Sequence, residues 1–133
     1  INIEERGEFV VNVVSENIVK NMNAAASEVP PDVDEFNISD LTPIESDKVM
    51  VPRVAESLLS MECKLLETIV VGNGPMSGAF IIGQIVNFHI NDNVFEDFRL
   101  DPEELSTVGR MGGNFYCRTR DLFRIKRPTL DQS

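Results

Sequence analysis

The sequence predicts a mainly β domain: a small antiparallel barrel with α-helices at its periphery. Three observations predict it. Ala79 to Phe95, AFIIGQIVNFHINDNVF, is the longest strand-like run, and Phe80, Ile82, Val86, Phe88 and Ile90 share one face by alternation, broken only by Gln84. Leu58 to Val71 is a second long run, with Met61, Cys63, Leu65, Ile69 and Val71 assigned to the core and Glu62, Lys64 and Thr68 to the outside. Gly72-Asn73-Gly74-Pro75 joins the two as an antiparallel hairpin, through a loop longer than a two-residue turn. Gly83 marks a bulge, a bend or a close approach of other backbone. On the other face of its strand Ala79, Ile81 and Ile85 are apolar but Asn87 and His89 are not. The strand is therefore expected to begin covered on both faces and to end with one open to water or a ligand. A long, bent, central antiparallel strand is what a small barrel needs.

The remaining elements follow in chain order. Ile1 to Gly7 reads as the last turns of a helix stopped at glycine, and a chain that starts at Ile1 inside a helix suggests a fragment or a processed protein. Glu8 to Val14 reads as a strand, with Phe9, Val11 and Val13 facing one way. Ser15 stands at an N-cap position before Glu16, predicting a helix to about Ala26 with Ile18, Met22 and Ala25 on one face. Val29-Pro30-Pro31-Asp32 breaks the pattern, and a short acidic helix, Asp32 to Ile38, is expected to dock through Phe36. Asp40 to Asp47 reads as loop and Val49 to Val51 as a short edge strand ended by Pro52. Asn91-Asp92-Asn93 turns the chain. Asp101-Pro102-Glu103-Glu104 starts a helix, with Asp101 as cap, Pro102 in the first position and Glu104 completing a capping box; the helix is expected to end at Gly109. A glycine turn, Arg110 to Tyr116, and a basic tail, Arg118 to Arg127, complete the chain.

Composition narrows the function. The 133 residues fit one domain able to bury a core. No apolar run is long enough to span a bilayer, and no signal-peptide pattern is present. A net charge of −10 argues against nucleic acid or an anionic membrane as the main partner. Cys63 and Cys117 read as reduced thiols of a cytoplasmic protein. His89 is the sole histidine: a base or ligand on an open strand face, or, as is commoner, a surface or hydrogen-bonded histidine. With no second histidine and no Cys-x-x-Cys, no metal site is expected. Phosphate loops of the P-loop or Rossmann type are lacking, as is a Gly-x-Ser-x-Gly elbow. The acidic residues Glu4, Glu5, Glu8, Asp32, Asp34 and Glu35 read as solvated faces. Arg110-x-Gly112-Gly113-x-x-Tyr116 offers a charge and a polar-tipped ring around two glycines that admit close approach; the bland alternative is a glycine turn between a helix and a strand, with Tyr116 in the core.

Taken together, these segments resemble a known family. Asn2-Ile3-Glu4 with Gly7 to Asn12, Met22 to Ala26, Val33 to Phe36 with Leu41-Thr42-Pro43, Pro52-Arg53-Val54-Ala55-Glu56-Ser57 followed by Glu62-Cys63, and Arg110-x-Gly112-Gly113-x-x-Tyr116 occur in the order found in the flavin reductase-like, FMN-binding split-barrel family. The resemblance implies a Greek-key split β-barrel whose N-terminal strands and Lys-Asp-Thr motif would precede Ile1. It implies a homodimer with FMN at the interface and NADH or NADPH as reductant. It implies FAD as an alternative flavin substrate and a partner monooxygenase that some members feed. It implies catalysis by cofactor positioning, with no protein base assigned. Carried onto this chain, Asn2 is the remnant of the phosphate side. Arg110, Gly112, Gly113 and Tyr116 line the flavin or nicotinamide side, and Arg53, Glu56 and Ser57 lie near the interface or site entrance. The competing expectation is a non-enzymatic split barrel, flavin-binding or flavin-less, that serves dimerisation or partner binding. A redox pair of Cys63 and Cys117 is a third.

Overall fold

A computed structural model describes residues 3–25, 40–75 and 77–130. Asn2, the proline break at 29–32 and the acidic helix expected at 32–38 lie outside them. The centre is a three-stranded antiparallel sheet in the order β1 (Glu8–Asn12), β4 (Leu59–Val71), β5 (Gly78–Ile90). Strands β2 (Pro43–Ile44) and β3 (Arg53–Val54) pair beside it. Two hairpins follow: β6 (Phe95–Glu96) with β7 (Arg99–Leu100), and β8 (Val108–Gly112) with β9 (Phe115–Arg118). The helices are short: α1 (Ile3–Arg6), α2 (Val19–Ala25) and α3 (Pro102–Leu105).

The long hairpin forms as the sequence predicts, but two register shifts change which face its residues present. Asn87 pairs with Glu62 while Ile85 pairs with Cys63, so Val86 is an extra residue in β5; Leu66 is likewise extra in β4. Each bulge inverts the alternation beyond it. Phe80, Ile82 and Phe88, assigned to the core face, are exposed, Phe80 to 66%. Ile69 and Val71 are exposed as well. Asn87 and His89, expected on an open face, are half-buried. Glu62, expected outside, is fully buried. Gly83 sits between the two shifts and answers to a close approach: a Cβ there would lie 2.4 Å from Phe9 Cζ and 3.3 Å from Lys64 O.

Several boundaries also differ. Gly7, at φ +66°, stops α1 as its position implies. Ser15 is not the N-cap of α2; it bridges to Thr107, and the chain turns once through residues 16–18 before α2 begins at Val19. Residues 43–44, read as loop, form β2, while 49–51, read as an edge strand, is bend. Asp101 caps α3 by accepting from the Glu103 and Glu104 N–H groups at 3.0 and 3.4 Å. The capping box does not close, because the Asp101 N–H donates to Val94 O at 2.7 Å. The helix ends at left-handed Ser106, and Gly109 lies in β8. The β6–β7 hairpin turns through Asp97 and Phe98, both at positive φ without a glycine to signal it. Buried Leu59, Val94 and Leu105 form the core cluster, with Val13, Leu58 and Ile90 packed on it.

Candidate functional site

Among the described residues, the most connected polar group is Glu62. Its Oε1 accepts from Lys48 N at 2.6 Å and Val49 N at 3.0 Å. Its Oε2 accepts from Asp47 N at 3.0 Å, from Asn87 Nδ2 at 2.9 Å and from His89 Nε2. Burial alone would raise the carboxyl's pKa. The Asp47 N–H, His89, the Lys48 N–H and Asn87 outweigh that and hold it at about 2, against an ordinary 4.5. Glu62 is therefore an anion at neutral pH, and the proton of the contact sits on His89 Nε2. Asp47, Glu62 and His89 each offer a ligand atom within 4.8 Å of the others. However, five donors already fill the roughly four acceptor sites of the Glu62 carboxylate. The group acts as a clasp between β4, β5 and the bend at 47–49.

That clasp holds the entry to β3. Ser46 Oγ donates to Val51 O at 2.6 Å, and Met50 N donates to Glu8 Oε1 at 3.1 Å. Val54 N then donates to Asn12 Oδ1 at 3.0 Å, which also accepts from buried Ser60 Oγ at 2.9 Å. Asn12 and Ser60 face each other across β1 and β4. Arg53, Ala55 and Ser57 thereby form one wall of a cleft whose other wall is Phe88 to Asn91. Ser57 Oγ donates to Val13 O at 2.8 Å and Leu59 O at 2.9 Å. Glu56 turns away from the cleft: Thr42 N and Oγ1 both donate to its carboxylate at 2.8 Å. The Thr42 N–H and hydroxyl lower its pKa below the ordinary carboxylate value.

The second group of expected site residues lies on the β8–β9 hairpin. Arg110 and Tyr116 are register partners there. Gly112 and Gly113 have φ of +102° and +55°, and a Cβ on either would meet nothing within 4 Å. Glycine is needed for the turn itself, with open space around it. The turn joins two strands, not a helix to a strand. Arg110 is exposed; Tyr116 is half-buried and its hydroxyl donates to Asn23 Oδ1 at 3.3 Å. Tyr116 and Cys117 line a shallow cleft with Val19, Lys20 and Arg118. At its edge Glu16 takes Arg118 Nε on one oxygen and Arg120 Nε on the other, each at 2.7 Å. Arg53 and Ser57 share one cleft and Tyr116 lines another; Asn2 is not among the described residues.

A sheet of long bulged strands, flanked by paired short strands and one-turn helices, defines the class: a mainly β protein of the split-barrel type. Residues 1–107 match the flavin reductase like domain family, and the chain belongs to it. An uncharacterized protein of Halalkalibacterium halodurans is 37% identical over 134 residues, 99% of this chain and 64% of that protein. Among solved structures, nitrilotriacetate monooxygenase component B from Bacillus cereus superposes with a TM-score of 0.87 at 35% identity, covering 93% of this chain and 62% of that one. Pseudomonas fluorescens 2-nitrobenzoate 2-nitroreductase superposes with a TM-score of 0.85 at 30% identity, covering 99% and 65%. The chain thus spans just under two thirds of the length of these proteins.

Proposed function

We propose that this chain is part of an FMN-binding flavoprotein that reduces flavin with NADH or NADPH. The observation that carries the reading is the family match over residues 1–107, joined to an exposed Arg110 and a half-buried Tyr116 opposite each other beside an open glycine turn. Those residues fit a flat cofactor: Arg110 supplies charge, Gly112 and Gly113 leave room, and Tyr116 supplies a ring edge with a polar tip. A bound flavin would supply the redox chemistry, accepting a hydride from the nicotinamide. The residues of this chain would position the two rings and keep water out. Arg53 and Ser57 would line the approach, and Glu56 would brace it through Thr42.

The solved relative named as component B of a monooxygenase supports a partner oxygenase that consumes the reduced flavin. A homodimer is supported by the apolar surface at the far end of the β4–β5 hairpin, where Leu66, Val70, Val71 and Phe80 are exposed. We place the protein in the cytoplasm, consistent with the free thiols Cys63 and Cys117 and with the absence, among the described residues, of a helix able to cross a membrane. That same apolar surface favours a second reading, a flavin-less barrel that serves as a dimerising or partner-binding module.

The test is the visible absorbance of the purified protein after desalting. Retained flavin bands, bleached anaerobically by NADH or NADPH, would support the first reading. A protein that stays colourless after FMN is added and removed would refute it and leave the second.

A further inference from the structure

We infer that the segment from Leu122 to Arg127 is an arm that docks on the β6–β7 hairpin and α3 of a second copy of this chain. Residues 118–127 carry five of the chain's twelve basic side chains and one acid, a net +4 in a chain of −10, which leaves −14 on the remainder. Glu16 holds the root of the segment through Arg118 and Arg120. Beyond that root, residues 121–130 belong to no helix or strand. Their one hydrogen bond to a described residue is that of Leu122 N, which donates to Arg120 O at 3.0 Å. Phe123 and Ile125 are 81% and 80% exposed. In an extended chain these two share one side, and Arg124 and Lys126 share the other. An apolar edge beside a basic one, both bare, marks a segment built to pair with another surface.

The complementary surface is carried by the same chain. Asp92, Glu96, Asp97, Glu103 and Glu104 are exposed, and none forms an ion pair with a described residue. At the tip of the β6–β7 hairpin Phe98 is 95% exposed. Asp97 and Phe98 have φ of +52° and +61°, and neither is glycine. Such a turn costs free energy, and what it achieves is to hold the Phe98 ring forward, with Phe95 edge-on at 6.4 Å. An exposed aromatic flanked by unpaired acids suits an arm of apolar and basic side chains.

Within one chain the two surfaces do not meet. Leu122, Phe123 and Arg124 pass beside Asp101, Pro102 and Glu103 with an open cavity between them. Arg124 forms no ion pair with a described residue there, and Phe123 stays exposed. A second copy supplies both halves at once, and reciprocal exchange gives two identical contacts about a twofold axis. The inference rests on the homodimer reading, names the segment that makes the contact and needs no flavin.

The test measures self-association of the intact protein by sedimentation over a concentration series, with two charge-reversed variants. One carries Arg124→Glu, Lys126→Glu and Arg127→Glu; the other carries Glu96→Lys, Glu103→Lys and Glu104→Lys. Each alone is expected to dimerise at least about tenfold more weakly than the unaltered protein, because like charges then oppose each other. An equimolar mixture of the two is expected to recover the dimer, since each arm then meets opposite charge on the other variant. Phe98→Gly suits the left-handed turn, so it should keep or raise the melting temperature while weakening association about tenfold. Circular dichroism and melting establish that each variant is folded. Folded variants that dimerise as well as the unaltered protein would overturn the arm and leave the homodimer standing. Weakened variants whose mixture recovers nothing would overturn exchange between copies. A protein that is monomeric at every concentration would overturn the arm and the homodimer together.

Discussion

Glu62→Gln should be the most costly conservative change in the described core. Glutamine keeps the shape but removes the charge and replaces one acceptor with an NH₂ donor. The site surrounds the carboxylate with donors alone: the N–H groups of Asp47, Lys48 and Val49, the Asn87 amide and His89 Nε2. Either orientation of the amide therefore sets NH₂ against N–H. A carboxyl held at about 2 against an ordinary 4.5 stabilises the fold by about 3 kcal/mol at neutral pH. The folded-state pKa lies below the unfolded one, so this contribution is full above about pH 4.5 and fades as pH falls towards 2. Roughly half of it remains at pH 3. Urea denaturation of both proteins between pH 7 and pH 3 measures it. The variant should be about 3 kcal/mol less stable at pH 7, with the gap narrowing by about half at pH 3. A gap below about 1 kcal/mol at pH 7, or one that ignores pH, would refute the claim that the ionised carboxylate holds the bend.

Two further changes test the packing. Gly83→Ala places a Cβ 2.4 Å from Phe9 Cζ, with Lys64 O at 3.3 Å closing the other side. It should cost about 1–3 kcal/mol in denaturant melts, and Phe9→Leu in the same chain should return part of that. The two thiols should separate in a titration with an aromatic disulfide: exposed Cys117 reacts at once, whereas buried Cys63, its pKa raised by burial, reacts only on unfolding. Mild oxidation that consumed both thiols of the folded protein together would revive the redox-pair expectation.

The parts of the fold that local chemistry dictates were legible in the sequence. The β4–β5 hairpin, the Gly7 stop and the Asp101 cap each rest on residues within a few positions of one another. The facing of residues was not, because period-2 reading has no way to place the extra residues Leu66 and Val86. Glu62 was illegible for a separate reason: β4 is covered on both faces there, with Cys63 buried beside it. A charged residue at an alternating position is assigned to solvent, yet its burial depends on donors 13 to 15 residues earlier in the chain and on Asn87 and His89 25 and 27 residues later. The available signal was Glu62 itself, standing with Cys63 after the Pro52–Ser57 segment. His89 likewise had two readings in isolation, and its contact with the buried acid lay beyond local pattern.

The same long-range contacts explain how a short, irregular segment is held in place. β3 has only two residues, and its neighbour β2 has two. Ladder hydrogen bonds between such strands cannot by themselves fix a side chain, since short isolated pairs are marginal in water. Position comes instead from side chains of the large sheet that reach out to the backbone, Glu62 to 47–49, Glu8 to Met50 and Asn12 to Val54, and from Ser57, which reaches back to Val13 and Leu59. Three of these anchors sit on β1 or β4, so the cleft inherits the rigidity of the central sheet while its own strands stay short. Loss of Glu62 should therefore reach Arg53 through the bend before it unfolds the sheet. In folded Glu62→Gln, hydrogen exchange at Lys48, Val49 and Val54 should accelerate more than at Cys63 or Lys64 within the ladder. Uniform acceleration across all of them would mean that the acid supports the whole sheet, and that β3 has no separate anchor.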